Sequence, residues 1–215
     1  MGTKYLTTKE FCLRYPSTAL TAVNKPLITK PTDPHPLSDL AVLNQFKSGP
    51  FPPGYPLNQR TFYAPVDNVK DALTYLINSA QKSLVIAMYG FDDEQLAQAI
   101  YRKLTDENVF VQLTLDSSQA GGTHEKALLT QTNYPSTSVA VGRSEHGAIM
   151  HLKLIIVDGF AVGGGSTNWS LGAETKQDNQ LTITTDAYVA AEARARVDAI
   201  HAFILNKQAR ATTDE

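Results

Sequence analysis

The stretch HLKLIIVDGFAVGGGSTN, residues 151–168, is the most informative part of this chain. Within it, Leu154–Val157 is short, apolar and rich in β-branched residues, which predicts a buried strand. Side chains two apart on a strand point the same way, so His151 and Lys153 are expected to share a face. An imidazole and an ammonium group are therefore predicted side by side.

A second pair of polar side chains follows a few residues later. Ser166 and Asn168 are also two apart, and they come directly after Gly163–Gly165, for which we predict a glycine turn. Both side chains can donate hydrogen bonds without carrying charge. Together with His151 and Lys153, they predict a small site that suits the oxygens of a phosphodiester.

This pattern, H-x-K-x4-D-x6-G-S-x-N, resembles the HKD motif of the phospholipase D superfamily, and specifically its bacterial Nuc-like endonuclease branch. Asp158, Gly164 and Gly165 occupy the structural positions of the motif. The resemblance covers about residues 62–205, and Asp178 stands where the family typically has an acidic residue followed by Asn. It implies a phospholipase D-like α/β sandwich, with a mixed central sheet flanked by helices and one HKD motif per chain.

Periodicity along the chain also favours an α/β fold. Helices are predicted at residues 68–80, from Asp92 onward, and near the end around residues 189–204. Strands are predicted between them, one at residues 109–115, and those at Leu84–Met88 and Leu154–Val157 are continuously apolar. Such strands are typical of a sheet that helices cover on both faces.

The first 60 residues differ from the rest. Ten of the eleven prolines precede residue 66, so we predict a proline-rich N-terminal extension at residues 1–60 and a phospholipase D-like catalytic domain at residues 61–215. Short helices are predicted at Thr8–Leu13 and at Ser38–Lys47, the latter with Ser38 as its N-cap. The extension either packs on the domain surface or serves as a lid, a dimer clasp or a docking arm for a protein partner.

Composition limits the alternatives without choosing among them. A net charge of −2 gives no overall attraction to nucleic acid, although an enzyme needs positive potential only in its cleft. The single cysteine, Cys12, rules out an internal disulfide. No integral membrane segment is expected, and the localisation is either cytoplasmic or, after removal of a signal peptide, periplasmic or secreted.

The predicted site can cleave a phosphodiester without a metal or cofactor. One neutral imidazole attacks phosphorus, and a second, charged imidazole protonates the leaving oxygen. The chain has one motif and so supplies one such histidine. The family resemblance implies that single-motif members pair two chains about a twofold axis, which predicts a homodimer.

The resemblance also assigns roles to the individual residues. His151 is the expected nucleophile, and Lys153 holds the phosphate oxygens while Ser166 and Asn168 donate to them. Asp178 is expected to accept from the second ring nitrogen of His151. Asp158 lies five residues beyond Lys153, so strand alternation places it on the opposite face in a structural role.

Alternatives remain open for the chemistry and for the substrate. Asp92, Asp93, Asp116 and Asp178 could form a carboxylate cluster for a metal, but no metal-binding spacing emerges, and no metal site is predicted. The favoured function is a DNA or RNA endonuclease; the others are a phospholipase acting on headgroups and a non-catalytic module that binds nucleic acid or protein. Candidate substrate-binding residues are Lys126, Arg143, Lys176 and Trp169, and Trp169 can either stack on a base or pack in the core.

Overall fold

A computed structural model describes residues 34–119, 122–131 and 134–213. The strands are β1 (Gln59–Ala64), β2 (Ser83–Met88), β3 (Phe91–Asp92), β4 (Phe110–Asp116), β5 (Val139–Gly142), β6 (Lys153–Val157), β7 (Ala161–Gly165), β8 (Trp169–Ser170) and β9 (Asn179–Thr185). The helices are α1 (Val69–Ser79), α2 (Glu94–Leu104), α3 (Thr123–Leu129), α4 (Leu171–Thr175) and α5 (Ala187–Thr213). Short 3-10 helices occur at Leu40–Phe46 and Ser136–Ser138.

Seven strands form one mixed sheet in the order β1-β9-β7-β6-β2-β4-β5. The pairs β2–β4 and β4–β5 are parallel, and the other neighbours are antiparallel. A parallel pair needs a crossover, and α2 lies in the connection between β2 and β4. The strands β3 and β8 form a separate two-stranded sheet.

Apolar side chains pack on both faces of the large sheet. Ile155 on β6 belongs to a cluster with residues of α1 and α2, whereas its neighbour Ile156 belongs to a second cluster with residues of α5. Because successive strand residues point to opposite faces, a fully apolar strand needs a helical layer on each side. The predicted α/β sandwich with a mixed central sheet is confirmed.

Helix starts follow from local capping. Asn68 caps α1 by accepting from the Asp71 amide, and Asp93 caps α2 by accepting from the Leu96 amide. The helix predicted from Asp92 therefore begins two residues later, since Asp92 itself pairs in β3. At the other end of the chain, α5 is longer than the predicted helix at both ends.

The N-terminal region joins the core before residue 60. Leu37, Leu40 and Leu43 are buried in the same cluster as Phe62 of β1. The helix predicted at Ser38–Lys47 is a 3-10 helix over Leu40–Phe46, and its N-cap is Asp39, whose carboxylate accepts from the Ala41 amide. Ser38 is therefore not the cap.

Two predictions about the N-terminal region are left open. The helix predicted at Thr8–Leu13 lies outside the described residues. The division into an extension of residues 1–60 and a domain of residues 61–215 stays a prediction. None of the described helices combines the length and the apolar composition needed to cross a membrane.

Candidate active site

The motif residues collect at one end of the central strands β2, β6 and β7, and we call this end of the sheet the active edge. Lys153 begins β6 and pairs with Met88, the last residue of β2. On the other side, Leu154 pairs with Gly164 of β7, so β7 ends at this same edge. His151 precedes β6 and Ser166 follows β7, and both therefore lie where these strands meet.

His151 is exposed to solvent and packs against an aromatic ring. The centroids of the His151 and Tyr89 rings are 4.5 Å apart, with 63° between the ring planes. The Tyr89 amide donates to the carbonyl of Leu152 at 2.8 Å, which ties the end of β2 to the start of the motif. The imidazole is thus oriented by the protein and open to a substrate.

Lys153 is only 8% exposed. Its Nζ donates to the carbonyl oxygen of His151 at 3.1 Å and lies 4.7 Å from the centroid of the Tyr89 ring. Burial lowers the pKa of Lys153, because removal from water disfavours the charged ammonium. An anion bound beside Nζ would oppose that effect.

The glycine triplet is part of a strand, and the predicted glycine turn is wrong. Gly163, Gly164 and Gly165 are the last three residues of β7. A Cβ on Gly163 would lie 2.9 Å from Ile155 Cγ2, and one on Gly165 would lie 2.0 Å from the carbonyl oxygen of Gln180. Close approach to neighbouring strands, rather than reversal of the chain, explains these two glycines.

Ser166 is held by hydrogen bonds to β9. Its amide donates to the carbonyl of Gln180 at 3.0 Å, and the Gln180 amide donates back to Ser166 Oγ at 3.0 Å. The Ser166 hydroxyl donates to Asn179 Oδ1 at 3.0 Å, while Asn179 Nδ2 donates to the carbonyl of Ala173 at 3.1 Å. Asn179 therefore orients Ser166, a role that the sequence did not indicate.

Asn168 packs on the backbone that follows β2. A Cβ on Gly90 would lie 2.9 Å from Asn168 Cγ, and the next amide, that of Trp169, donates to the carbonyl of Gly90 at 2.8 Å. Within the described part of the chain, Asn168 Oδ1 is buried and has no hydrogen-bond partner. A buried amide oxygen without a donor costs about 1–3 kcal/mol, and the oxygens of an ionised phosphodiester, which are acceptors, would meet the Nδ2 group of this side chain instead.

The two aspartates of the motif have different surroundings. Asp178 is exposed and precedes β9, at the active edge, and none of the hydrogen bonds found among described residues joins it to His151. Its proposed contact with the His151 ring stays a prediction. Asp158 lies at the opposite end of β6, where it accepts from the amides of Lys82 and Ser83 at 2.7 Å each and from His35 Nε2 at 2.8 Å.

The carboxylate of Asp158 joins the turn after β6 to the segment that leads into β2. Burial raises its pKa, but hydrogen bonds from the backbone amides of Ser83, Gln81 and Lys82 and from His35 outweigh this, and the net pKa is lowered. The residue has φ of 53°, a left-handed conformation that Asp tolerates better than most residues.

Asp116 supports the site from beneath and was not recognised as doing so from the sequence. It is fully buried at the end of β4 and accepts from the Met150 amide at 2.6 Å and the Ser118 amide at 2.9 Å. Met150 directly precedes His151. A carboxylate at the end of a buried strand was the available signal, but its partner lies 34 residues away.

The predicted substrate-binding residues are divided between surface and core. Lys126 on α3, Arg143 after β5 and Lys176 after α4 are exposed. Trp169 is 2% exposed and packs edge-on against Phe91, with ring centroids 6.0 Å apart. Its ring faces are closed to a base, so Trp169 takes the packing role.

The acidic residues weighed as metal ligands do not converge. Asp93 caps α2, Asp92 accepts from the His124 amide at 2.9 Å, and Asp116 holds Met150. Over the described ranges, no group of three or more His, Cys, Asp or Glu side chains is arranged to hold a metal ion.

Comparison with protein families now adds an independent observation. Residues 73–201 match the family described as "Cardiolipin synthase, PLD-like domain", which is more than half of the chain. The chain belongs to this family. The predicted membership of the phospholipase D superfamily is thereby confirmed, and enzymes of that superfamily are phosphodiesterases.

Curated relatives have names that refer to a lipid substrate. The chain is similar to "Mitochondrial cardiolipin hydrolase" of Xenopus tropicalis, with 30% identity over 138 residues, covering 63% of this chain and 62% of that protein. The Chlamydomonas reinhardtii protein of the same name is 26% identical over 129 residues, covering 59% and 54%. The chain thus spans under two thirds of the length of these relatives.

Solved structures with the same fold support the Nuc-like branch. NucT from Helicobacter pylori is 25% identical, with a TM-score of 0.58, covering 66% of this chain and 94% of that one. Nuc from Salmonella typhimurium, a phospholipase D family member, is 21% identical with a TM-score of 0.56, covering 66% and 92%. The match with Nuc shows the fold alone.

Proposed function

We propose that this chain is a metal-independent phosphodiesterase that cleaves DNA or RNA with little sequence preference, through a phosphohistidine intermediate in a site shared by a homodimer. The observation that carries the proposal is the pairing of an exposed imidazole with a buried ammonium. His151 is open to solvent, Lys153 is 8% exposed, and both side chains contact the Tyr89 ring. A desolvated cation next to a nucleophile suits an anionic phosphodiester.

The remaining donors of Lys153 support this role. One hydrogen bond of Nζ goes to the carbonyl of His151, which leaves two donors for phosphate oxygens. The electrostatic attraction is strong there because little water screens it. The Asn168 amide provides a neutral donor from the loop after β7, and Ser166 adds a second when its one hydroxyl proton, donated to Asn179 Oδ1 in the free chain, turns to the phosphate.

The reaction follows with a balanced set of bonds. A ring nitrogen of His151 forms a bond to phosphorus, the bond from phosphorus to the leaving oxygen breaks, and the partner subunit's His151 gives its proton to that oxygen. Water then attacks phosphorus and gives a proton to the same partner imidazole, while the phosphorus–nitrogen bond breaks. Both imidazoles return to their starting states.

The need for a second imidazole supports the homodimer. Within the described residues, no other histidine contacts His151. A twofold axis beside the active edge would bring a copy of the same histidine to the other side of the phosphate. The protein-partner role of residues 1–60 also remains a proposal.

A phospholipase is the second candidate, and the relatives named as cardiolipin hydrolases favour it. Both candidates use the same chemistry at phosphorus and differ only in what surrounds it. The non-catalytic module is less favoured, because His151, Lys153, Ser166 and Asn168 are all present.

One experiment separates these functions. Wild type and His151→Ala are incubated in EDTA with plasmid, single-stranded DNA, RNA and vesicles that contain cardiolipin or phosphatidylcholine. The proposal expects wild type to cleave nucleic acid in EDTA and the variant to lose at least about a thousandfold in rate. Release of headgroups without nucleic-acid cleavage would replace it with the phospholipase, and loss of activity in EDTA would reject the metal-independent mechanism.

A further inference from the structure

A basic groove opens at the active edge of the sheet, on the side of β5. It has a volume of about 270 Å³ and is lined by residues from three elements. The lining residues that matter here are Ser117, Gly142, Arg143, Ile204, Lys207 and Gln208. None of the residues discussed so far as catalytic lies in it.

The groove has a fixed shape. The Ser117 amide donates to the carbonyl of Gly142 at 2.8 Å, and Gln208 Nε2 of α5 donates to the carbonyl of Val141 at 3.0 Å. A Cβ on Gly142 would lie 2.7 Å from Ile204 Cγ2, so the glycine lets α5 approach the edge strand closely. Hydrogen bonding and close packing therefore hold all three walls together.

Its charged residues are all cations. Arg143 and Lys207 are the charged members of the lining, both are exposed, and neither forms an ion pair with any described residue. By contrast, the groove beside α1 is lined by Asp67, Asp71 and Glu174 around a single lysine. In a protein with a net charge of −2, two unpaired cations mark a local site for anions.

The distance from the groove to His151 identifies the kind of anion. Three strand spacings separate β6 from β5, which amounts to about 14 Å at about 4.8 Å each. Successive phosphates of one strand are separated by six bonds and lie about twice as far apart as the axial rise of about 3.4 Å, so this distance corresponds to about two nucleotides. Asp116, which precedes Ser117 of the groove, accepts from the amide of Met150, which precedes His151, so this contact connects the two regions.

We propose that Arg143, Lys207 and the Ser117 hydroxyl bind a backbone phosphate of a nucleic acid about two nucleotides from the bond that is cleaved. This inference rests on the proposed nuclease function and adds a polymer-binding site to it. A single phospholipid molecule offers no second phosphate at this distance, since even the two phosphates of cardiolipin are joined by a single glycerol. The groove therefore favours a polynucleotide over a lipid.

The test measures binding of labelled oligothymidylates of 3 and 12 nucleotides at several salt concentrations. All proteins carry His151→Ala, so that the oligonucleotides stay intact. The double variant Arg143→Ala/Lys207→Ala is compared with Lys82→Ala/Arg102→Ala, which removes the same charge from exposed positions outside the groove. A 3-mer held at His151 is too short to reach the groove.

We expect the groove variant to lower the ratio of 12-mer to 3-mer affinity about tenfold. A plot of its log affinity against log salt should have a slope that is less negative by about 0.7–1.4. This is the contribution of one or two phosphates of a single strand. The control pair should keep the parental ratio and slope. Equal losses in both pairs, or an unchanged slope in the groove variant, would overturn the inference.

Failure of the inference differs from failure of the proposed function. If no protein binds either oligonucleotide, the nuclease proposal itself fails. If the parental protein binds the 12-mer and the groove variant binds it equally well, only the groove assignment fails. If Arg143→Ala/Lys207→Ala, made with His151 intact, instead loses headgroup release from cardiolipin vesicles, the groove serves a lipid and the inference is wrong.

Discussion

The ring of Tyr89 contacts both members of the catalytic pair, with its centroid 4.5 Å from that of His151 and 4.7 Å from Lys153 Nζ. One side chain thus fixes the direction of the imidazole and partly compensates the desolvated ammonium. Tyr89 stands at the end of β2, where the pairing of Met88 with Lys153 brings the two strands together.

Replacing this ring should affect turnover more than folding. For Tyr89→Ala we expect kcat on bis(p-nitrophenyl) phosphate to fall about 10- to 100-fold, because the imidazole loses its packing surface. Tyr89→Phe keeps the ring and should stay within about threefold of wild type. Steady-state kinetics and thermal unfolding of both variants test this, and wild-type kcat in Tyr89→Ala would contradict it.

Asn179 offers a test of how Ser166 is positioned. Asn179→Ala removes the acceptor of the Ser166 hydroxyl and the donor to the Ala173 carbonyl. We expect a fall in kcat of about 10- to 100-fold, since a misdirected donor stabilises the transition state poorly. Thr184→Ala, on the same strand but away from Ser166, is the matched control. Equal activity in the two variants would argue against a positioning role for Asn179.

Two adjacent glycines of β7 are expected to respond differently to replacement by alanine. Gly165→Ala should destabilise the protein by about 1–3 kcal/mol and reduce activity, because its Cβ would lie 2.0 Å from the Gln180 carbonyl oxygen. Gly164→Ala should be tolerated, because the nearest heavy atom to its Cβ, the Lys153 carbonyl oxygen, is 3.6 Å away. Chemical denaturation measures both, and similar stability in the two variants would show that the strand shifts freely.

A buried charge cluster predicts a pH dependence of stability. Glu174 is 4% exposed, and burial, with a further contribution from Asp93, raises its pKa from 4.5 to about 7, against the effect of Lys70. Lys70 Nζ lies 2.6 Å from Asp93 and 3.6 Å from Glu174. The Lys70 ammonium therefore stabilises mainly the Asp93 carboxylate. It compensates the negative charge of an ionised Glu174 only weakly.

The folded state binds the Glu174 proton more tightly than the unfolded state does. The contribution of Glu174 to the free energy of unfolding should therefore be most favourable below about pH 4.5. It should be lost as the pH rises to about 7. Glu174→Gln should abolish this contribution and stabilise the protein at pH 8 by at most about 3 kcal/mol. Urea unfolding at pH 5 and pH 8 measures the difference, and equal gains at both pH values would refute the assignment.

The sequence predicted those strands, helices and site residues that are set by local periodicity or by the fixed motif. The apolar run at Leu154–Val157 and the helical periodicity of residues 68–80 led directly to β6 and α1. The glycine turn was wrong because the reason for Gly165 lies in another strand, at Gln180. No local pattern carries such a contact.

The supporting residues of the site were missed for the same reason. Tyr89, Asp116 and Asn179 act through partners that are distant in sequence or through the backbone. Tyr, Asp and Asn are common at the ends of strands, so their residue types alone did not assign these roles. Trp169 illustrates the reverse case, since its residue type suggests binding while its burial assigns it to packing.

The proposed mechanism depends above all on two copies of His151 acting on one phosphorus atom. Wild-type and His151→Ala chains with different tags can be co-expressed at several ratios, with the dimers verified by native mass spectrometry. If each site needs both imidazoles, activity per dimer falls as the square of the wild-type fraction, to about one quarter at equal amounts. Activity that falls linearly, to about one half, would contradict the shared site.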